Sequence, residues 1–246
     1  MEKIKTEWKI TANRFVACLD ILGFKDKVMR NTHHKIYEEL KQLSSVRKIL
    51  ERDSGLEIDV NSEVCIITFS DSIFLFSKND SVEDFVHFLM SLAYLFYCAI
   101  KKFKIPIKGS IAYGEISVSK SEQLYFGQPI IDAYLLEEDV NYLGVVCHNT
   151  IDKFLNSEKE EILKSLRKFA PYSKHFLGLV QCPTPLKSGQ ITHNNLEWFG
   201  LELTGEDNQI TEDDLMSFYE TVSGNARRYI DNTILFLKEY KNKKIT

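Results

Sequence analysis

The chain has 246 residues, 44% hydrophobic and 27% charged, the composition of a globular protein able to bury a substantial core. A formal net charge of −4 gives no electrostatic footprint for DNA or RNA and argues against nucleic-acid binding. Five cysteines sit singly in apolar runs without CxxC spacing, as reduced thiols of a cytoplasmic protein do, rather than as disulfide or zinc partners.

In chain order, the first nine residues have no apolar core and do not read as a signal peptide. Residues 14–20 read as a buried strand ending on Asp20, and Gly23 and Phe24 lead from it into a long amphipathic helix over 25–52. Residues 63–70 and 73–77 read as two strands joined tightly at Asp71, a hairpin with a carboxylate at its tip. Ser81 or Asp80 caps the next helix, which runs to about residue 102 and is apolar nearly all round. Its stretch 85–100 is short for a membrane span and carries His87 and Ser91, so it is expected inside the protein.

Pro106 opens a strand over 107–113, which Gly114 and Glu115 turn into a second over 116–119. A helix over 129–138, a strand over 142–147 and a helix over 150–155 follow. This order suits a ferredoxin-like α+β fold, an antiparallel sheet with its helices on one face. After Asn156 the composition changes. A charged helix over 157–170, strands over 176–182 and 196–203 around the loop 183–189, a polar break over 204–214 and a last helix over 215–240 are expected. The organisation predicted is a core of residues 1–156, with residues 157–246 adding strands and a C-terminal helix as part of the same domain or as an extension.

Two of these strands end on an aspartate, which is costly to bury unpaired. Two such carboxylates side by side repel each other, and a hard divalent cation removes that penalty while gaining oxygen ligands. The spacing alone leaves open a second role for each aspartate, as a cap on a turn or on the following helix.

The segment Phe15-Val-Ala-Cys-Leu-Asp-Ile-Leu-Gly-Phe24 resembles the first metal-binding strand of class III nucleotidyl cyclases, and Phe69-Ser-Asp-Ser72 the turn carrying that family's second metal aspartate. Ile107-Lys-Gly-Ser-Ile-Ala-Tyr-Gly-Glu115 and the stretch from Tyr125 to Glu137 resemble its later strand and helix, in the same order. The resemblance covers roughly residues 14–155. It implies two ions of Mg2+ or Mn2+ held by Asp20, Asp71 and the Ile21 carbonyl, with a nucleoside triphosphate as substrate. It implies that the turn Leu22, Gly23, Phe24 and Lys25 offers N–H groups to phosphate. It also implies a homodimer with composite active sites.

The sequence departs from the family where purines are read: the positions of its purine-contacting lysine and base-selecting aspartate are Ile67 and Leu124. The transition-state asparagine and arginine align with Ile131 and Leu135. Candidate replacement cations for phosphate are Lys25, Lys108 and Lys187, each of which also reads as an ordinary surface lysine, and Ser70 and Ser72 are the polar groups nearest the second aspartate. Within the superfamily the chain looks most like the pyrimidine cyclases of bacterial phage-defence (Pycsar) systems, which make cyclic CMP or cyclic UMP for a separately encoded effector. The alternatives are a non-catalytic nucleotide sensor on the same scaffold and a polymerase-like palm, which the negative charge disfavours.

Overall fold

The computed structural model describes residues 8–51, 62–169, 178–199, 210–220, 222 and 224–245. Eight strands are present among them: β1 (Thr11–Ile21), β2 (Val64–Phe69), β3 (Ser72–Ser77), β4 (Ile107–Ser119), β5 (Leu124–Phe126), β6 (Val145–Cys147), β7 (Leu179–Leu186) and β8 (Gly189–Leu196). The helices are α1 (Phe24–Arg30), α2 (His33–Glu51), α3 (Val82–Tyr97), α4 (Gln128–Asp139), α5 (Asn149–Phe169), α6 (Glu212–Met216) and α7 (Arg227–Ile245). The strands build one sheet in the order β2-β3-β1-β4-β6-β8-β7, with β5 paired to β4. The sheet is mixed: β4 and β6 run parallel, and the other pairings are antiparallel.

Strand alternation sorts the core. On β1, Phe15, Ala17, Leu19 and Ile21 face the large cluster shared with α2, α3 and α5. Val16 and Cys18 face the other way, into a smaller cluster with Cys65, Phe76, Ala112 and Ala133 of α4. The α+β class expected from the sequence is the one observed. α2, α3 and α5 cover one face, and α4 lies over β1 and β4 on the other. One described helix, Val82–Lys102, is long and apolar enough to cross a membrane. It is the central core helix, with Phe85, Phe88, Leu92 and Phe96 fully buried.

Several boundaries differ from those read in the sequence. The single helix over 25–52 is two, because Asn31 caps α1 with its side chain on the Lys27 carbonyl (2.8 Å) and Thr32 accepts from the Lys35 N–H (3.4 Å). Both residues compete with the backbone for hydrogen bonds and so end helices. Gly114 and Glu115 do not turn the chain: β4 is one strand of 13 residues, held straight by pairing with β1 from Thr11 to Ile21. Helix α5 passes through Asn156 without a break because Ile162 and Leu166 extend its buried side, so the boundary placed after Asn156 lies inside a helix.

Pro183 and Pro185 are not in a loop but within β7, an edge strand, where the missing N–H groups cost nothing if they face away from the sheet. The outward Pro185 carbonyl accepts from the Asn141 N–H (3.0 Å). The strand expected over 196–203 ends at Leu196, and residues 170–177 and 200–209, where parts of the charged helix, of both expected strands and of the polar break fall, lie outside the described residues. The final helix over 215–240 is interrupted as well. Thr211 and Asp214 make a reciprocal capping box that starts α6. Burial would raise the Asp214 carboxyl, but bonds from Lys101 (2.5 Å), Lys104 (3.0 Å) and Thr211 hold it well below the usual carboxylate range. Single 3-10 turns at Ser217–Glu220 and Gly224–Ala226 then lead to α7.

Gly109 of β4 lies opposite Leu19, and a Cβ there would meet the Leu19 side chain and the Cys18 carbonyl. The Gly109→Ala variant is therefore expected to lose about 2 kcal/mol through overpacking, read as a lower midpoint of urea unfolding. A variant as stable as the parent would contradict this packing.

Candidate active site

The site forms where β1 ends. Asp20 pairs with Ser72 of β3 on one side and with Lys108 of β4 on the other, and Ser72 pairs in turn with Phe69 of β2. Cross-strand partners point to the same face, so Phe69, Ser72, Asp20 and Lys108 form one row across the sheet. The next row along is Ile67, Phe74, Cys18 and Ser110. Both rows lie on the α4 side.

Asp71 reaches this row through the two-residue turn joining β2 to β3. Ser70 there takes a left-handed φ of 57°, a conformation a non-glycine residue holds only when its surroundings fix it. The fixing contact is the Asp71 carbonyl, which accepts from the Ile21 N–H at 3.1 Å. The two aspartates read from the sequence thus lie at the same end of the sheet, near enough for Asp71 to add to the field on Asp20.

From above, α4 brings a third acid. Glu137 accepts from the Lys108 ammonium through its carboxylate and through its backbone carbonyl, the latter at 2.6 Å. The Asp20 carboxyl is pushed up to about 7, first by burial and then by the negative field of Glu137; Lys108 offsets part of this, Asp71 adds to it and Lys187 offsets a little more. Burial also raises the Tyr229 phenol on α7, which sits within the field of Lys108, Glu137 and Asp20.

This donor set fits a hard divalent cation. Two carboxylates and backbone carbonyls are oxygen ligands of the kind a hard divalent cation takes, and the largest cause of the raised Asp20 carboxyl, burial, is a cost that such a cation would offset. Among the described residues no group of three or more His, Cys, Asp or Glu side chains is disposed to hold a metal. Mg2+ is commonly held by one or two carboxylates, with substrate phosphates completing the shell, so a two-carboxylate site suits it.

The remaining sequence-derived residues fall in three places. At the β1–α1 turn, the Leu22 N–H is taken by the Pro106 carbonyl (2.9 Å), and Gly23 adopts φ 73° at the start of α1. Phe24 and Lys25 open that helix, and Lys25 is exposed. Lys187 is exposed at the tip of the β7–β8 hairpin, near enough to Asp20 to affect its charge. That tip is latched to the end of α4: the Lys187 N–H donates to the Asp139 carbonyl (2.7 Å), and the Ser188 N–H to the Asp139 carboxylate (2.8 Å). Ile67 is half-buried on the Asp20 face, but Leu124 is not near it. Leu124 pairs with Ser119, at the opposite end of β4 from Lys108, which is roughly 35 Å away at the rise of an extended strand.

Glu137, Tyr229 and Asp139 were not picked out as site residues from the sequence. Glu137 carried a readable signal: with Ile130 and Ala133 it falls on the buried side of α4, where an acid is rarely found unpaired. Tyr229 and Asp139 carried none.

No family model matches the chain, and no curated protein matches its sequence. Solved structures do match. The catalytic core of a rhodopsin-guanylyl cyclase with converted specificity, in complex with ATPalphaS, superposes with a TM-score of 0.50 at 13% identity, over 78% of this chain and 98% of that one. A bacterial light-regulated adenylyl cyclase gives a TM-score of 0.47 at 10% identity, over 86% and 99%. At such identity the first likeness speaks to architecture alone: the chain has the fold of a cyclase catalytic domain.

Proposed function

We propose that this protein is a metal-dependent nucleotidyl cyclase. It converts a nucleoside triphosphate, CTP or UTP, to the 3′,5′-cyclic monophosphate and pyrophosphate, as a second messenger of anti-phage defence read by a separately encoded effector. The observation that carries the reading is the nearness of Asp20 and Asp71 at the same end of the sheet, on a cyclase catalytic fold. Asp20, Asp71 and the Ile21 carbonyl would hold Mg2+ or Mn2+. Bound there, the ions would neutralise the triphosphate and lower the basicity of the attacking 3′-hydroxyl. The chain's own residues bind and orient. Gly23, Phe24 and Lys25 lie at the turn where phosphate N–H contacts are expected, and Lys187, latched through Ser188 to Asp139, extends a cation toward the same end of the sheet.

The apolar side chains at Ile67 and Leu124 support a pyrimidine, because neither can make the hydrogen bonds that read a purine edge. Since Leu124 lies at the far end of β4 from Asp20, a pocket containing both needs a second copy of the chain. The α4 side supports that assembly: Phe69 is 79% exposed, Leu135 58% and Ile131 52%, with Tyr134 also exposed.

The second reading, a nucleotide sensor without turnover, draws on the apolar Ile131 and Leu135 at positions where the resemblance places catalytic polar groups. Incubating the purified chain with Mn2+ and each of the four nucleoside triphosphates separates the two readings. Cyclic CMP or cyclic UMP, identified by mass, is expected well above cyclic AMP or cyclic GMP. Binding without any cyclic product would favour the sensor, and a purine product would overturn the base assignment.

A further inference from the structure

Lys108 lies directly opposite Asp20 on the neighbouring strand and on the same face. Cross-strand partners have Cβ atoms about 5 Å apart, well within the reach of a lysine stem, so the ammonium has every opportunity to close on the aspartate. It does not. It is turned toward α4, where it donates to both the carboxylate and the backbone carbonyl of Glu137, and both side chains are only 6% exposed.

Stability alone is a poor reason for this arrangement, because a buried ion pair recovers little more than the cost of desolvating its charges. A lysine free to pair with Asp20 would neutralise it and oppose a second cation there. We infer that Glu137 is a positioning residue that holds the Lys108 ammonium against α4 and so keeps Asp20 open to a divalent cation. This rests on reading Asp20 as a metal ligand, and it gives Lys108 a role other than touching phosphate.

The test uses Mn2+ alone, titrated into the full chain without nucleotide and followed by water-proton relaxation. Glu137→Gln frees Lys108 and is expected to weaken Mn2+ binding roughly tenfold or more. The double variant Lys108→Met/Glu137→Gln removes both charges together and is expected to bind Mn2+ about as tightly as the wild type. Should Glu137→Gln fail to fold, Glu137→Asp, which keeps the charge but shortens the reach, is expected to weaken binding in the same direction. A folded single variant with wild-type Mn2+ affinity overturns the inference while leaving the metal site standing. So does a double variant as weak as the single one, which would mean that Glu137 serves the site independently of Lys108. A wild-type chain that binds no Mn2+ removes the metal site itself, and this inference with it.

Discussion

Asp20→Asn and Asp71→Asn are each expected to lower cyclase turnover roughly 10³-fold, about 4 kcal/mol of barrier, because each removes an ionised ligand from a site that works by charge neutralisation. Folding is expected to respond in the opposite sense. The Asp20 carboxyl sits at about 7 in the folded chain, chiefly through burial and secondarily through Glu137, well above its value in an unfolded chain. Below the unfolded value both states hold the proton and the buried carboxyl carries no penalty. Stability is lost as pH rises from the unfolded carboxyl's range to about 7, where the folded chain ionises Asp20 in place and the loss is complete. Asp20→Asn should therefore stabilise the metal-free chain at pH 8, read as a higher melting temperature, and change little at pH 4. Mn2+ should stabilise the wild type at pH 8 and leave Asp20→Asn unmoved. Near-normal turnover in either variant would mean that the ions sit elsewhere. A metal-free Asp20→Asn chain less stable than wild type at pH 8 would mean that the aspartate is a structural cap.

The half of the site that was legible in the sequence is the half that local pattern encodes. An apolar run closed by an aspartate places Asp20 at a strand end, and two short apolar runs around Asp71 specify a hairpin, because strand alternation and turn chemistry act over a few residues. Lys108 and Glu137 pair across 29 positions, and Lys187 approaches Asp20 only after β7 and β8 have joined the sheet. No local signal specifies such contacts. The misread boundaries have the same origin. Prolines mark loops in isolation, yet Pro183 and Pro185 are tolerated in β7 because it lies at the sheet edge, a property of the assembled topology. The Asn31–Thr32 break was readable, since both residues compete for backbone hydrogen bonds, but the apolar periodicity on either side obscured it.

The largest effect away from the metal carboxylates is expected from α4. Ile131 and Leu135 stand one turn apart on its exposed side, beside Tyr134 and on the same sheet face as Phe69. A face this apolar is expected to be covered, and a symmetric dimer offers the same patch to itself. Leu135→Asp leaves the α4 contacts of Ala133 and Glu137 untouched, so the subunit should fold with nearly unchanged stability. It should sediment as a monomer and lose turnover, because Leu124 and Asp20 of one chain cannot line one pocket. Complementation then tests the composite site separately from the patch. Asp71→Asn disables the carboxylate end, and Leu124→Arg disables the other. Each alone should be inactive, and an equal mixture should recover about a quarter of the wild-type rate, since half of randomly assorted two-site dimers carry one intact site. A Leu135→Asp monomer with full turnover would place the whole reaction within a single chain. A mixture with no recovery, from subunits that do dimerise, would place Leu124 outside the pocket.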